Sequence, residues 1–322
     1  MTKIQSWNAI KDSFKGGTLI LGNGASIAVH EKFKYPSLRE KAALKRRDKK
    51  LFNEFNSDNF EEILQLLNSA KTINRVLGIC DEEKKLDNSY ERVRRALIEI
   101  ISKEHVDYNK ALNHLPHINV FIKYFRKIMS LNYDMIPYWA MMYDLGNLKD
   151  SFRIKGEFAP EITPKENEAW VYYPHGNLSL ITDENGVDKK ISQKGSPLLS
   201  CITDQWKNGT VPLIITEGSS KQKRQAIGRS AYLSHVFDHV IPQINSKLVI
   251  YGWSMRNFDQ HIIDQINWLN INDVAISVYT KDNDYEEYCE RIMKDLKKQN
   301  KNINITFFDA SSPGCWKNPA QE

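Results

Sequence analysis

The sequence has few cysteines, and they are too widely separated to suggest a shared site. Cys80, Cys201, Cys289 and Cys315 are scattered along 322 residues and form no Cys-x-x-Cys pair. A structural zinc site usually takes its thiolates from such pairs, so we expect no zinc site of that kind. Disulfide bonds are equally unexpected if the protein works in a reducing cytosol.

The chain also lacks a hydrophobic run of the roughly 20 residues that a membrane-spanning helix needs. Its first residues, MTKIQSWNAIKDSF, contain no apolar signal-peptide core. These absences predict a cytoplasmic protein with no membrane partner. The formal net charge is a mild +5, and much of the excess lies in Lys41–Lys50. Such a run is usually a solvated helix face, although contact with nucleic acid or an acidic protein stays open.

Short apolar runs bounded by turn residues predict the strands of an α/β protein. Several of them, such as Leu248–Tyr251, show no polar alternation, which is typical of parallel strands covered by helices on both faces. Hydrophobic residues make up 41% of the chain and charged residues 26%, a mix that argues against disorder. The predicted strands are Thr18–Leu21, Ile128–Leu131, Ala169–Tyr173, Val211–Thr216, Lys247–Tyr251, Val274–Tyr279 and Ile303–Phe308.

Helical segments lie between these strands, which predicts a Rossmann-like, doubly wound, mainly parallel sheet. Residues 35–124 are too many for a simple crossover. We therefore expect a helical insertion after the first strand, within one domain that spans residues 1–322. A turn is predicted at Asn185-Gly186. The predicted helices are Asn59–Asn74, Asn88–Ser102, Val106–Lys123, Lys221–Val240 and Tyr285–Gln299, the last with Asp284 as N-cap.

The first chemical motif is Gly22-Asn23-Gly24-Ala25-Ser26, which directly follows a hydrophobic strand. Glycine lets the backbone approach a ligand, and free N–H groups in such a loop attract phosphate. The full dinucleotide fingerprint has a third glycine where Ile27 stands here. Taken alone, the motif is equally consistent with a tight turn between a strand and a helix.

Polar residues end three further predicted strands. Asn132 and Asp134 follow the second strand, and His175 follows the third, between a proline and a glycine. Ligands bind at the carboxyl ends of strands in open α/β sheets, and histidine moves protons near neutral pH. A turn-stabilising asparagine, a helix-capping aspartate and a structural histidine are the alternative interpretations.

The last motif is LVIYGWSMRNFDQHI, in which Gly252 and Ser254 follow a buried strand and Asp259 precedes a helix. Close backbone approach and a hydroxyl suit contact with a ribose or a phosphate, and the alternative is a turn with Asp259 as N-cap. In Thr216–Gln225, Ser219, Ser220 or Lys221 are candidates for phosphate contact, although a capped helix explains the stretch equally well.

Taken in order, the four motifs resemble those of the sirtuin-like superfamily. Its members carry a Gly-x-Gly-x-Ser loop, a Thr-x-Asn-x-Asp segment, a His-Gly pair and a Gly-x-Ser segment. The match is best to a bacterial branch with Asn-Tyr-Asp at the second motif, as in Asn132-Tyr133-Asp134. The resemblance spans roughly Leu19 to Ala310, and it implies that NAD lies over the strand ends of a Rossmann-like sheet.

The resemblance also implies roles for individual residues. Asn132 would lie beside the nicotinamide ribose, Asp134 on the nicotinamide side, and His175 would be the general base. Nicotinamide leaves as a neutral group, so no strong acid is needed, and no metal is expected to take part in this step. The remaining NAD contacts would come from Gly22, Gly24, Ala25 and Ser26 at the pyrophosphate and nearby ribose and from Gly252, Trp253 and Ser254 at the adenosine half. Asn23 and Asp259 are further candidate NAD contacts.

This chain departs from deacetylating sirtuins, which have a zinc ribbon with two Cys-x-x-Cys pairs. Ser130 and Leu131 stand where the usual threonine and glutamine precede the asparagine. Both differences favour hydrolysis of NAD itself, as in bacterial antiphage defence. A homo-oligomer and a HerA-like translocase ATPase partner are expected by analogy. A protein deacylase or ADP-ribosyltransferase, and a sensor that binds NAD or ADP-ribose without turnover, stay open as alternatives.

Overall fold

Eight strands form one sheet in which all neighbouring strands are parallel. The computed structural model describes residues 3–79, 83–192, 198–207, 212–216, 220–256 and 259–320. The strands are β1 (Ile4–Gln5), β2 (Thr18–Leu21), β3 (Lys127–Ser130), β4 (Leu148–Lys149), β5 (Ala169–Tyr172), β6 (Gly176–Thr182), β7 (Asp188–Lys190), β8 (Pro212–Ile214), β9 (Lys247–Tyr251), β10 (Asp273–Val278) and β11 (Asn304–Asp309). The order of the eight strands in the main sheet is β1-β11-β10-β9-β2-β3-β5-β4.

Helices flank this sheet, so the predicted Rossmann-like architecture is confirmed. None of the helices in the described ranges is long and apolar enough to cross a membrane. The α-helices are α1 (Trp7–Ile10), α2 (Asn23–Val29), α3 (Tyr35–Lys41), α4 (Arg46–Glu54), α5 (Phe60–Val76), α6 (Glu83–Glu104), α7 (Tyr108–Ala111), α8 (Leu115–Ile122), α9 (Ile136–Tyr143), α10 (Leu198–Lys207), α11 (Ser220–Ile227), α12 (Ala231–His235), α13 (Gln260–Gln265) and α14 (Tyr285–Gln299).

The direction of winding reverses between β2 and β9. From β2 the chain continues through β3 to β5 on one side, while β9, β10 and β11 follow one another on the other side. Strands β2 and β9 pair directly, with Leu21 opposite Tyr251. The loops that follow these two strands therefore meet at a topological switch point, the place where open α/β sheets bind ligands.

The predicted elements agree closely with the observed ones where the hydrophobic pattern is strong. Strands β2 and β9 and helix α14 have the predicted bounds. Two predicted helices are interrupted: Val106–Lys123 consists of α7 and α8, because Pro116 starts a new helix at α8. Lys221–Val240 consists of α11, α12 and a π-helical turn at Val236–Val240. Asp284 precedes α14 but makes no capping hydrogen bond with its side chain.

A second, antiparallel sheet of order β7-β6-β8 lies beside the main one, and the sequence did not predict it. The predicted strand Val211–Thr216 pairs there as β8 instead of joining the parallel sheet. Gly176 directs the chain into this sheet with a positive φ of 70°, where a Cβ atom would lie 1.8 Å from the Leu213 carbonyl oxygen. The predicted turn at Asn185-Gly186 connects β6 to β7.

Among the described residues, all regular secondary structure between β2 and β3 is helical, from α2 to α8. Part of the basic run Lys41–Lys50 makes contacts within this helical region. Asp48 is fully buried and accepts two hydrogen bonds of 2.8 Å from Arg92. Lys41 bonds to Glu104 at 2.8 Å. The division into one domain with an insertion at residues 35–124 stays a prediction.

Candidate active site

The two glycine loops pack against each other, backbone on backbone. The Gly24 N–H donates to the Gly252 carbonyl at 2.8 Å, and the Ala25 N–H donates to the Gly22 carbonyl at 2.9 Å. A Cβ atom on Gly22 would lie 2.5 Å from the Cα atom of Trp253. Free N–H groups were predicted in this loop, but those of Gly24 and Ala25 already donate to backbone carbonyls. Gly22, Gly24 and Gly252 are therefore needed for packing, because only residues without a Cβ atom let the loops after β2 and β9 come this close.

Substitution of Gly252 by alanine should therefore be much more costly than the same change at a glycine in open space. Gly252 has a φ of +67°, and an added Cβ would lie 2.5 Å from the Ala25 nitrogen. We expect a loss of about 2–5 kcal/mol in the free energy of unfolding, from backbone strain plus overpacking. Gly186 is the control, since it has a φ of +76° and no atom within 4 Å of an added Cβ. Equal losses in urea unfolding would contradict this interpretation.

Asn132 joins the first glycine loop to Asp134. Its Nδ2 donates to the Gly22 carbonyl at 2.8 Å and to Ser26 Oγ at 2.7 Å, and Ser26 Oγ in turn donates to Asp134 Oδ2. A carbonyl oxygen only accepts, so the bond to Gly22 fixes which side of the amide carries the nitrogen. Among the described residues, Asn132 Oδ1 has no hydrogen-bond partner. This acceptor is left for a ligand.

His175 is buried, and both of its ring nitrogens are engaged within the protein. One bonds to the Leu131 backbone, and Nε2 lies 2.9 Å from the Nε2 atom of His261. The Leu131 N–H already donates to Leu21, which leaves its carbonyl to accept a proton from His175 Nδ1. His175 Nε2 then accepts from His261 Nε2–H. The lone pair that a general base would use therefore faces His261.

Burial keeps both histidines neutral. Desolvation, followed by the nearby Lys223 ammonium, lowers the pKa of His175 to about 3. Desolvation and the neighbouring His175 lower the pKa of His261 to about 2. Among the described residues, His261 Nδ1 is a buried ring nitrogen without a hydrogen-bond partner. Each ring therefore carries one proton at neutral pH. The Leu131 carbonyl determines which nitrogen of each ring carries it.

A buried lysine connects the helical region to the strand ends. Lys223 Nζ lies 2.8 Å from Glu61 Oε2 on α5 and 3.3 Å from Asp259 Oδ1. Burial lowers the pKa of Lys223, but the carboxylates of Glu61 and Asp259 outweigh it, so the pKa is raised overall. Asp259 also accepts from Trp253 Nε1 at 2.8 Å, and Glu61 bonds to the Tyr133 hydroxyl at 2.9 Å. Asp259 is thus part of an ion network, although its backbone precedes α13 as predicted.

Several of these side chains line a cavity of about 560 Å³ at the switch point, a size typical of small-molecule sites. Helical residues such as Tyr35 and Leu97 close it from one side. Ala25 and Ser26 lie behind the wall, and Ser26 reaches the site only through Asn132 and Asp134. Of the residues predicted from sequence, those that line the cavity are Gly22, Asn23, Gly24, Asn132, Asp134, His175, Gly252, Trp253, Ser254 and Asp259.

The charge of the lining is predominantly negative. Within the described ranges, Arg256 is the one cationic side chain that lines the cavity, and it is exposed. The acidic side chains there are Asp58, Glu61, Glu62, Asp134 and Asp259. Of these, Glu61 and Asp259 share the ammonium of Lys223. The site therefore combines a negative wall with a single cation near the loop that follows β9.

Comparison with known proteins identifies a family without a described activity. The family model for a domain of unknown function, DUF4917, matches residues 19–316. This chain belongs to the DUF4917 family. No curated protein matches it. Among solved structures it is similar to a chain described as "Structural Basis for the Mechanism and Regulation of Sir2 Enzymes", with 9% identity, 91% of this chain and 99% of that chain covered, and a TM-score of 0.34.

Three residues of this DUF4917 site were missed from the sequence: Glu61, Lys223 and His261. His261 stands two residues after Asp259, and that Asp-x-His spacing was a usable signal. Nothing in the local sequence of Glu61 or Lys223 indicates that they pair, because they are far apart in the chain. Of the stretch Thr216–Gln225, Ser219 lies outside the described residues, and neither Ser220 nor Lys221 lines the cavity.

Proposed function

We propose that this protein hydrolyses NAD at the nicotinamide–ribose bond and releases nicotinamide and ADP-ribose. One observation carries the proposal: Asn132 and His175, which follow different strands, line the same cavity as Gly22, Gly24 and Gly252. That cavity lies at the switch point, where nucleotides bind in folds of this kind. The order of motifs along the chain, which resembles that of sirtuin-like enzymes, supports NAD as the nucleotide.

The charges of the cavity suit this substrate. The nicotinamide ring of NAD is cationic, and its departure leaves positive charge on the ribose in an oxocarbenium-like state. Carboxylates such as Glu61 and Asp259 in a partly buried wall favour that charge. The pyrophosphate needs the opposite sign, and Arg256 supplies it near Ser254. The negative wall thus belongs to the reacting end of NAD and the guanidinium to the phosphate end.

The side chains have distinct tasks in the proposed reaction. Asn132 Oδ1, the free acceptor, orients the attacking water or a ribose hydroxyl. His175 Nε2 takes the proton of the attacking water once the substrate has displaced the hydrogen bond from His261. The Asp259 carboxylate, 3.9 Å from His175 Nε2, offsets the charge of the protonated ring. NAD and water thereby give nicotinamide, ADP-ribose and one proton.

The test is nicotinamide release from NAD by the purified chain, followed by chromatography. Asn132→Ala should reduce the rate by about 10²-fold, since misplaced reactants lose about that factor. Asn185→Ala, on the exposed turn between β6 and β7, is the matched control. Thermal unfolding checks that the loss of the bonds to Gly22 and Ser26 has not unfolded the Asn132 variant. Undiminished release by a folded Asn132→Ala protein would contradict the proposal.

The same assay separates the alternative functions. A protein deacylase or an ADP-ribosyltransferase would release nicotinamide only when an acyl peptide or an acceptor protein is added. A sensor would bind NAD or ADP-ribose, measurable by calorimetry, and release no nicotinamide. The engaged state of His175 Nε2 is the observation that favours the sensor, because the hydrogen bond to His261 must break before the ring can act as a base.

The proposed biological setting is bacterial antiphage defence, in which NAD is depleted once infection is sensed. An unregulated NAD hydrolase would harm its own cell, so activity is expected to depend on assembly. A homo-oligomer and a HerA-like translocase ATPase are the proposed partners, on analogy alone. The release assay is therefore run with the chain alone and with the candidate ATPase, and an ATPase that neither binds nor changes the rate would remove this partner from the proposal.

A further inference from the structure

Three potential metal ligands meet at the edge of the cavity, which His175 and Asp259 line and His261 does not. His175 Nε2 lies 2.9 Å from His261 Nε2 and 3.9 Å from Asp259 Oδ1. All three ligand atoms lie within 4.8 Å of one another. We propose that His175, Asp259 and His261 bind a divalent transition-metal ion such as Zn²⁺, and that the bound ion prevents NAD hydrolysis.

The protons of the two rings allow this binding without loss of a proton from the protein. A metal needs the lone pairs on both Nε2 atoms, and His175 already carries its proton on Nδ1, toward Leu131. A carbonyl that accepts from the far ring nitrogen is the usual orienting partner of a metal-binding histidine. His261 must move its own proton from Nε2 to Nδ1. That atom has no partner among the described residues, so the shift breaks no other hydrogen bond.

The local charge also favours a cation. Glu61 and Asp259 contribute two negative charges, and Lys223 contributes one positive charge. The cluster therefore has one uncompensated negative charge in a buried setting, which a divalent ion can offset. Lys223 is a competitor for Asp259 Oδ1, at 3.3 Å. Arg224 follows Lys223 in the chain, but its side chain is exposed, so solvent screens its positive charge.

The ligand types select the class of metal. Two imidazoles and one carboxylate suit zinc, iron, cobalt and nickel, whereas magnesium and calcium prefer oxygen ligands. Zinc–nitrogen bonds of about 2.0–2.1 Å place two nitrogens about 3.3 Å apart in a tetrahedral site. The rings of His175 and His261 must therefore separate by a few tenths of an ångström. Three protein ligands leave the fourth position of a tetrahedral site to a water molecule.

The effect on activity rests on the proposed function, whereas the binding does not. In the proposed reaction His175 Nε2 accepts the proton of the attacking water. A metal on that atom takes the same lone pair. The metal-bound protein is then inactive, and removal of the ion releases the base. This provides a chemical means of holding an NAD hydrolase inactive without a protein inhibitor.

Binding is measured first, on the full chain after treatment with a chelator and dialysis. Calorimetric titration with Zn²⁺ should show one saturable site per chain, and Co²⁺ should give a visible absorption band from nitrogen ligation. His261→Gln should weaken binding by more than the roughly 10–100-fold that loss of an outer hydrogen-bond partner costs. If thermal unfolding shows that the His261 variant is not folded, Asp259→Asn tests the same site, and it should also weaken Zn²⁺ binding.

A surface histidine pair provides the control. His235 and His239 lie one turn apart, with ring centroids separated by 5.5 Å, and such a pair can bind zinc by itself. The double variant His235→Gln/His239→Gln should bind Zn²⁺ as the wild type does. Binding that follows this pair, or no saturable binding at all, overturns the site. The inhibitory effect is tested in the NAD assay. If Zn²⁺ binds at His261 but nicotinamide release is unchanged, the bound ion does not inhibit and that part of the proposal is wrong. If the chain does not turn over NAD at all, the binding titration alone decides whether the metal site exists.

Discussion

A chain in which glutamine replaces His175 should release nicotinamide about 10²–10⁴-fold more slowly than the wild type, the range that a general base contributes. Glutamine can still donate to the Leu131 carbonyl, so the local fold is preserved as far as one substitution allows. Its amide has no basic nitrogen lone pair that could accept the proton of the attacking water. We therefore expect kcat to fall while the KM for NAD changes little, because the proposed pyrophosphate and adenosine contacts are made by other residues of the cavity.

The control for this prediction is His117→Gln, since His117 lies on α8 and does not line the cavity. Its rate should equal that of the wild type. A His175→Gln protein with normal kcat would show that the proton is accepted elsewhere, and the role assigned from the sequence would be wrong. A rise in KM alone would instead indicate that His175 helps to bind NAD and does not act as a base.

The main sheet was predictable because its strands are buried on both faces. Leu248–Tyr251 and Thr18–Leu21 are nearly continuous apolar runs, and this pattern occurs where helices cover a parallel sheet. The short edge strands β1 and β4 have two residues each and leave no such pattern. The antiparallel sheet was missed because Gly176 was interpreted as part of a ligand motif. Its positive φ and its contact with Leu213 show that it also turns the chain.

The candidate site was predictable only where a side chain ends a strand. Parallel strands present their carboxyl ends at one edge, so Asn132 and His175 had to lie near the loop at Gly22. The partners that fix these side chains come from distant segments, and no local pattern encodes such a pairing. His261 and Lys223 are the clearest cases. No metal was predicted from the sequence because the chain has no cysteine pairs and NAD cleavage requires no metal. His261 was not among the residues considered.

Lys223→Met should be among the most destabilising single substitutions in the protein. The Lys223 side chain is 0% exposed, and its ammonium serves both Glu61 and Asp259. Methionine preserves most of the volume but leaves two largely buried carboxylates without their cation. Removing one partner of a buried ion pair costs about 3–5 kcal/mol. We expect a loss of this size in the free energy of unfolding, measured by urea denaturation.

The position of the lysine, and not its charge alone, should determine this loss. Lys221 lies on the same helix, α11, and is exposed, so Lys221→Met should change the free energy of unfolding by less than about 0.5 kcal/mol. The double variant Glu61→Gln/Lys223→Met should lose less than the sum of the single changes, because the glutamine removes one of the unpaired charges. A coupling of about 0.5–3 kcal/mol is expected for residues in one network. If the losses in the free energy of unfolding are additive, Lys223 stabilises the fold by packing alone. The ion network between α5 and the strand ends would then not help to hold the helical side of the cavity in place.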